Sequence, residues 1–374
     1  MNICFLLSFT PNPRMNKRMR ALKENHDISL IYWKRSEKYL WGDVIEDIKG
    51  EEIAIPANNG NPIKRLLPTF KFGKTVLKKL KIQKPECLYV QNVDMLFLAM
   101  LHKVFINSSL KIVYEIADIH EIIIQPQKRW IKKIIQRALR FLERKMCRNV
   151  NLLVLTSQKY YECYYKDFIE ESRYLYMANA PERRIFNRYA RKKDGKFTVG
   201  FIGAVRFEKQ IKLLVQACEK CQVKLEIIGS FLNEELEQYC KENNVFCYGK
   251  YNYEEEISDL YGRLDCVFSG YPSTDYNVGI AVPNKLYEAI VCELPIIVSK
   301  GTYLAELVNE YGVGIAIDCD DIESYVEAIN SLKDNELRLC EIANNCKKIK
   351  NICYVEEYNQ KLSKRINALT NNGC

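Results

Sequence analysis

Histidine is scarce, with three residues in 374. None stands at a zinc-finger distance from a CxxC pair, and the only such pair, Cys218 and Cys221, has no second copy. The fifteen cysteines are scattered and odd in number. They read as free thiols of a reducing compartment, with a metal site the minor alternative. Glycine and proline are few, 16 and 11, while 48% of the residues are hydrophobic. That excludes a disordered chain. Long hydrophobic runs are also missing: Ile3 to Phe9 stops at Thr10-Pro11, and Met95 to Leu101 meets His102 and Lys103. Neither can serve as a signal-peptide core or a membrane span, so a cytoplasmic chain is expected.

What is abundant is charge, unevenly placed. Residues 1–190 hold 34 Lys and Arg against 19 Asp and Glu, whereas 191–374 hold 22 against 28. Two helix-length segments carry the excess: 64–84 has eight cations and no anion, and 128–148 has nine cations and the single Glu143. In the second, Trp130, Ile131, Ile134, Ile135, Ala138, Leu139, Leu142 and Met146 approach one apolar stripe, with Lys132, Lys133, Arg137, Arg140 and Arg144 elsewhere. A basic amphipathic helix of this kind is either an ordinary surface helix or a contact for an anionic membrane leaflet. No nucleic-acid motif accompanies it, and nucleic acid is not expected as a partner.

Strand and helix patterns alternate through both halves, which predicts an α/β chain of two doubly wound, Rossmann-like domains. The polar stretch 187–197 places the boundary near 190/191, giving domains at 1–190 and 191–353. A further helix is expected at about 354–370. Ligands of such sheets bind beyond the carboxyl ends of the strands, and a cleft between the domains is the default active site.

Two stretches of the second half carry candidate chemistry. In Phe197-Thr-Val-Gly-Phe-Ile-Gly-Ala-Val-Arg-Phe-Glu-Lys209, a strand turns at Gly203 into a helix start beside Arg206 and Lys209, a cationic setting for a diphosphate. In Val282-Pro-Asn-Lys-Leu-Tyr-Glu288, a Pro-initiated helix start presents Asn284, Lys285 and its own amides for phosphate or sugar, and Glu288 could take both ribose hydroxyls.

Together with KLEIIGSF, the YGK of Tyr248-Gly249-Lys250 and, in the first half, TPNPRMNKRMR and VYEIADIHE, these stretches resemble the glycosyltransferase group 1 family, also called glycosyltransferase family four. The resemblance implies the GT-B fold, with the terminal helix packed back on the first domain. It also implies transfer of a sugar from a nucleoside-diphosphate sugar with retention of configuration and no bound metal or other cofactor. Arg206 and Lys209 match the basic pair on the donor diphosphate, Glu288 matches the ribose glutamate, and Tyr248 and Gly249 lie beside the base. Ile280 stands where many members carry a first glutamate, as in a PNK-type subgroup. Asn284, Lys285 and the backbone of 281–284 are the expected substitutes, with Asp275 and Asn277 as further candidates.

Asp118 and His120, after the strand Lys111 to Tyr114, are assigned to sugar positioning or acceptor deprotonation. Thr10 and Arg14 are the expected acceptor contacts. The reading is a glycosyltransferase extending a glycan, lipid-linked, in capsular, exopolysaccharide or lipopolysaccharide synthesis at the inner face of a bacterial membrane. The alternatives are a non-catalytic nucleotide-sugar-binding partner of a glycan assembly complex and a sugar-nucleotide epimerase.

Overall fold

The computed structural model describes residues 1–35, 48–57, 62–192 and 195–371. The chain forms two compact units, Met1–Met177 with Tyr358–Cys374, and Ala178–Glu357. The expected boundary at 190/191 thus lies later than the observed division, and Lys193 and Asp194 of the expected linker fall outside the described residues.

The first unit is built on β1 (Asn2–Leu7), β2 (Asp27–Lys34), β3 (Lys49–Ala54), β4 (Cys87–Gln91), β5 (Lys111–Ile116), β6 (Leu152–Leu155) and β7 (Tyr174–Tyr176), in the order β3-β2-β1-β4-β5-β6-β7. All its pairings are parallel. The second is built on β8 (Thr198–Ile202), β9 (Lys224–Ile228), β10 (Phe246–Gly249), β11 (Cys266–Ser269), β12 (Ile296–Ser299) and β13 (Gly314–Ile317), also parallel, in the order β10-β9-β8-β11-β12-β13. Both sheets therefore reverse direction beside their first strand, between β1 and β4 and between β8 and β11. Such switch points open a crevice for a ligand. Helices cover both faces of a parallel sheet, so β1 and β8 read as continuous apolar runs and are buried.

In the first unit, Phe5, Leu7, Tyr89, Val113 and Val154 pack with Met15 and Met19 of the helix Pro13–Lys23. Leu362 and Ile366 of the helix Val355–Asn371 join that same core. Fourteen cysteines among the described residues are free. No helix among them is long and apolar enough to cross a membrane.

The helix Trp130–Cys147 is docked the reverse of the usual way. Gln136 Nε2 donates to the carbonyls of Ile123 (3.1 Å) and Gln125 (2.8 Å), and Arg140 Nε donates to Ile123 O (2.7 Å). Buried Glu143 accepts from the hydroxyls of Tyr114, Tyr164 and Tyr165 at 2.9, 2.8 and 2.9 Å. Polar side chains thus face the domain. Of the apolar stripe only Met146 is buried, while Trp130 is 71% exposed and Phe141, beside the stripe, 69%.

Candidate functional site

In the second unit, the chain leaving β8 meets the chain leaving β9 backbone to backbone. Gly203 has φ +121° and Gly229 has φ +142°, a region that L side chains rarely adopt. A Cβ on Gly229 would lie 2.0 Å from the carbonyl oxygen of Gly203, so the approach requires glycine. Gly203 N–H donates to Ile228 O at 2.8 Å and fixes the loop.

Against this loop lies Lys285, the second residue of the helix Asn284–Val291. A Cβ on Gly203 would sit 3.8 Å from its Nζ. Lys285 is 7% exposed, its ammonium 3.9 Å from the ring centre of Phe201 and 4.9 Å from that of Tyr271, whose hydroxyl it also contacts. Among the described residues it has no carboxylate partner. An ammonium taken out of water with only aromatic faces and one hydroxyl around it is poised for an anion. Asn284 is half-buried at the first position of the helix, its side chain without a hydrogen bond among the described residues.

Glu288, one turn on, is 3% exposed, and each of its oxygens is taken: Tyr253 Oη donates at 2.7 Å to one and Tyr261 Oη at 2.7 Å to the other. Burial, with the Glu288 charge, pushes both tyrosine hydroxyls well above their usual range. As placed, Glu288 accepts one internal hydroxyl on each oxygen, which leaves each with a second lone pair. Asp275 likewise acts locally, accepting from Asn277 N (2.9 Å) and Val278 N (3.3 Å) to cap the turn Tyr276–Ile280.

Arg206 is exposed and has no partner among the described residues. Lys209, expected beside it on the diphosphate, instead holds Asp320 at 2.7 Å, and that hydrogen bond pushes its pKa up. The pair is exposed on both sides, so solvent and a polyanionic ligand can exchange for it. Gly249 needs φ +85°, and Tyr248 donates its hydroxyl to Glu256, which raises the pKa of the tyrosine.

In the first unit, Asn12 caps the helix Pro13–Lys23 by accepting from Met15 N at 3.0 Å. Arg14 does not point freely outward: its Nε lies 3.0 Å from Glu115 Oε1. Arg18 Nε lies 3.5 Å from the other oxygen of Glu115, and Tyr89 donates its hydroxyl to that oxygen. Thr10 is buried. The expected acceptor contacts are thus one buried hydroxyl residue and one arginine engaged with a buried carboxylate.

Asp118 and His120 are exposed on the loop after β5. Asp118 accepts from Tyr160 Oη at 3.3 Å. His120 caps the short helix Glu121–Ile124, its Nδ1 accepting from Ile122 N at 3.2 Å. That assignment puts the proton of the neutral imidazole on Nε2. The outward nitrogen is therefore a donor, which suits sugar positioning and does not suit deprotonation of an acceptor.

The sequence reading missed Phe201 and Tyr271 under Lys285, Tyr253 and Tyr261 on Glu288, and the acid Glu115 among the arginines. Glu115 left a signal, a lone carboxylate in the apolar strand KIVYEI, since a buried charge needs a cation. The tyrosines left none, because long-range hydroxyl contacts have no sequence period.

Residues 182–351, within the unit that holds Lys285, match the family described as Glycosyl transferases group 1. Succinoglycan biosynthesis protein ExoL of Rhizobium meliloti (strain 1021) is 24% identical over 270 residues, 68% of this chain, and the chain spans 66% of that relative's length. Among solved structures, sucrose-phosphate synthase of Thermosynechococcus elongatus superposes with a TM-score of 0.78 at 14% identity over 100% of both chains. Anabaena HepE in complex with UDP and glucose gives 0.72 at 16% identity over 98% of this chain and 100% of its own. The second unit thus carries a segment that matches the group 1 glycosyltransferases, and the chain has the GT-B fold of these solved structures.

Proposed function

We propose that the protein transfers a sugar from a nucleoside-diphosphate sugar to a glycan acceptor, with retention of configuration and without a metal, in the synthesis of an envelope or extracellular polysaccharide. The observation that carries the reading is Lys285, a buried ammonium without a carboxylate at the switch-point loop of the second sheet. When the bond from the sugar's anomeric carbon to the diphosphate breaks, negative charge accumulates on the leaving oxygen. Lys285, Arg206, Lys209 and the first amides of Asn284–Val291 would stabilise it as fixed positive charge, the task a metal performs elsewhere. Asn284 and Gly203 would line the same loop, and Tyr248 and Gly249 the base. Glu288 would act through its helix, holding Lys285 in place by way of Tyr253 and Tyr261.

The first unit would supply the acceptor side, with Thr10 and Arg14 near the acceptor, His120 Nε2 donating to a sugar hydroxyl and Asp118 taking the acceptor proton. HepE, solved with UDP, supports a uridine nucleotide as the first to test, and ExoL supports an exopolysaccharide context. The outward apolar face of Trp130–Cys147, with the cations of 64–84 and 128–148, supports a lipid-linked acceptor at an anionic membrane.

The experiment is thermal stabilisation by a panel of nucleoside diphosphates and their sugars. One base should raise the melting point of the wild type, and its sugar conjugate should then be consumed with an acceptor extract. A flat panel contradicts the donor reading.

A further inference from the structure

A second basic site lies in the first unit, away from every residue assigned above to the donor or the acceptor. A cavity of about 610 Å³ is lined by Lys103, Arg148, Arg173 and Arg365, with Leu369 and Asn149 among its other walls and no carboxylate. Arg173 and Asn151 of its lining immediately precede β7 and β6, so it opens at the amino-terminal edge of the sheet. Thr10, Arg14, Asp118 and His120 follow the carboxyl ends of β1 and β5, at the opposite edge. A strand of six residues such as β5 separates the two edges by roughly 20 Å.

The cations are held by backbone, not by acids. Arg173 donates Nη1 to Arg148 O at 3.0 Å and Nη2 to Cys147 O at 3.4 Å, leaving its Nε buried without a hydrogen bond. Arg365 donates to Ser172 O, and Lys103 to Leu110 O. The side chain of Arg148 has no hydrogen bond or ion pair among the described residues. Capping of a helix end accounts for Arg173 but not for Arg148, and it calls for no cavity. Burial, with Lys111 nearby, also holds the Lys103 ammonium below the usual lysine range.

We propose that this basin binds a phosphate group, at a site separate from the donor site. Three held cations and the unengaged Arg148, with no counter-charge among the described residues, match the several acceptor oxygens of a phosphate mono- or diester. Val104, Phe105 and Ile106, exposed directly after Lys103, would lie in the acyl boundary if the phosphate is a lipid headgroup.

The test uses the full chain, Arg148→Gln alone, which breaks no contact, and Arg148→Gln/Arg365→Gln. Lys132→Gln/Lys133→Gln is the charge-matched control outside the cavity. Inorganic phosphate, against chloride at equal ionic strength, should raise the wild-type melting point by about 2 °C, and the cavity variants should lose that rise. Sedimentation with phosphatidylcholine vesicles containing phosphatidic acid identifies the source. A loss of roughly fivefold per cavity charge, exceeding that of the control, assigns a headgroup. Equal losses alongside a cavity-dependent phosphate shift assign a free phosphate. A phosphate shift that survives in the double variant, or no shift together with equal vesicle losses, overturns the proposal. Uridine diphosphate should stabilise the cavity variants as it does wild type, so failure here is separable from failure of the donor site.

Discussion

At the scale of single residues, the contrast between Lys285 and Glu288 shows how the same helix turn serves two purposes. Lys285 keeps an unmet charge, whereas Glu288 has both oxygens satisfied inside the domain. Replacing Glu288 by Gln keeps the shape but removes the charge that two tyrosine hydroxyls donate to. A hydrogen bond to a charged group is worth about 1.5–3 kcal/mol, so the melting point should fall by several degrees, and scanning calorimetry checks it. A large loss of nucleotide affinity at an unchanged melting point would instead return Glu288 to direct ribose contact.

His102 offers a pH test. It is buried, neither ring nitrogen has a hydrogen-bond partner, and burial holds its pKa below the ordinary 6.5. The unfolded chain binds a proton near 6.5 that the folded chain refuses, so its contribution is present above that value and lost as the pH falls below it. His26 acts in the same direction, while the raised carboxyls Asp94 and Glu143 act oppositely. His102→Leu should therefore flatten the fall in melting point between about pH 7 and 5.5; an unchanged slope would contradict this.

At the scale of elements, strong periodicity was legible and short or polar strands were not. The sequence pattern predicts helices over Glu234–Glu242 and Asn284–Val291, and the structure has both. The strands β3, β7 and β13 escaped because KGEEIA is too charged, YLY too short, and GIAI begins on a glycine. The helix Trp130–Cys147 was legible as amphipathic but not in its direction, since a 3.6-residue pattern is the same whichever face is inward. Only the partners of Gln136, Arg140 and Glu143 decide that. Trp130→Ser/Phe141→Ser should leave the melting point unchanged within about 1 °C, because both side chains are already in solvent. The pair should release the protein from vesicles of anionic phospholipid in a flotation assay. A drop in stability with vesicle binding intact would mean that the outward face packs on protein.

At the scale of the whole molecule, two parallel, doubly wound sheets were readable from alternation, because each βα repeat carries its own apolar strand, while the order of the strands was not. The division of the chain was less readable. No composition shift marks Met177/Ala178 or Glu357/Tyr358, and both follow from which core each segment packs into. The site was legible in part. Gly203 and Lys285 stand in local motifs, while the rings that shelter Lys285 come from Phe201 and Tyr271, and Asp320, which engages Lys209, lies more than a hundred positions away.

The central claim is that Lys285 is held uncompensated in order to receive a nucleotide's diphosphate. The most direct test is calorimetric titration of the stabilising nucleoside diphosphate into wild type and Lys285→Gln, with the melting point of each recorded without ligand. Loss of one charge-assisted contact of about 1.5–3 kcal/mol predicts a Kd raised roughly 10- to 150-fold with no loss of stability. An unchanged Kd, or a weaker Kd that tracks a collapsed melting point, would contradict it.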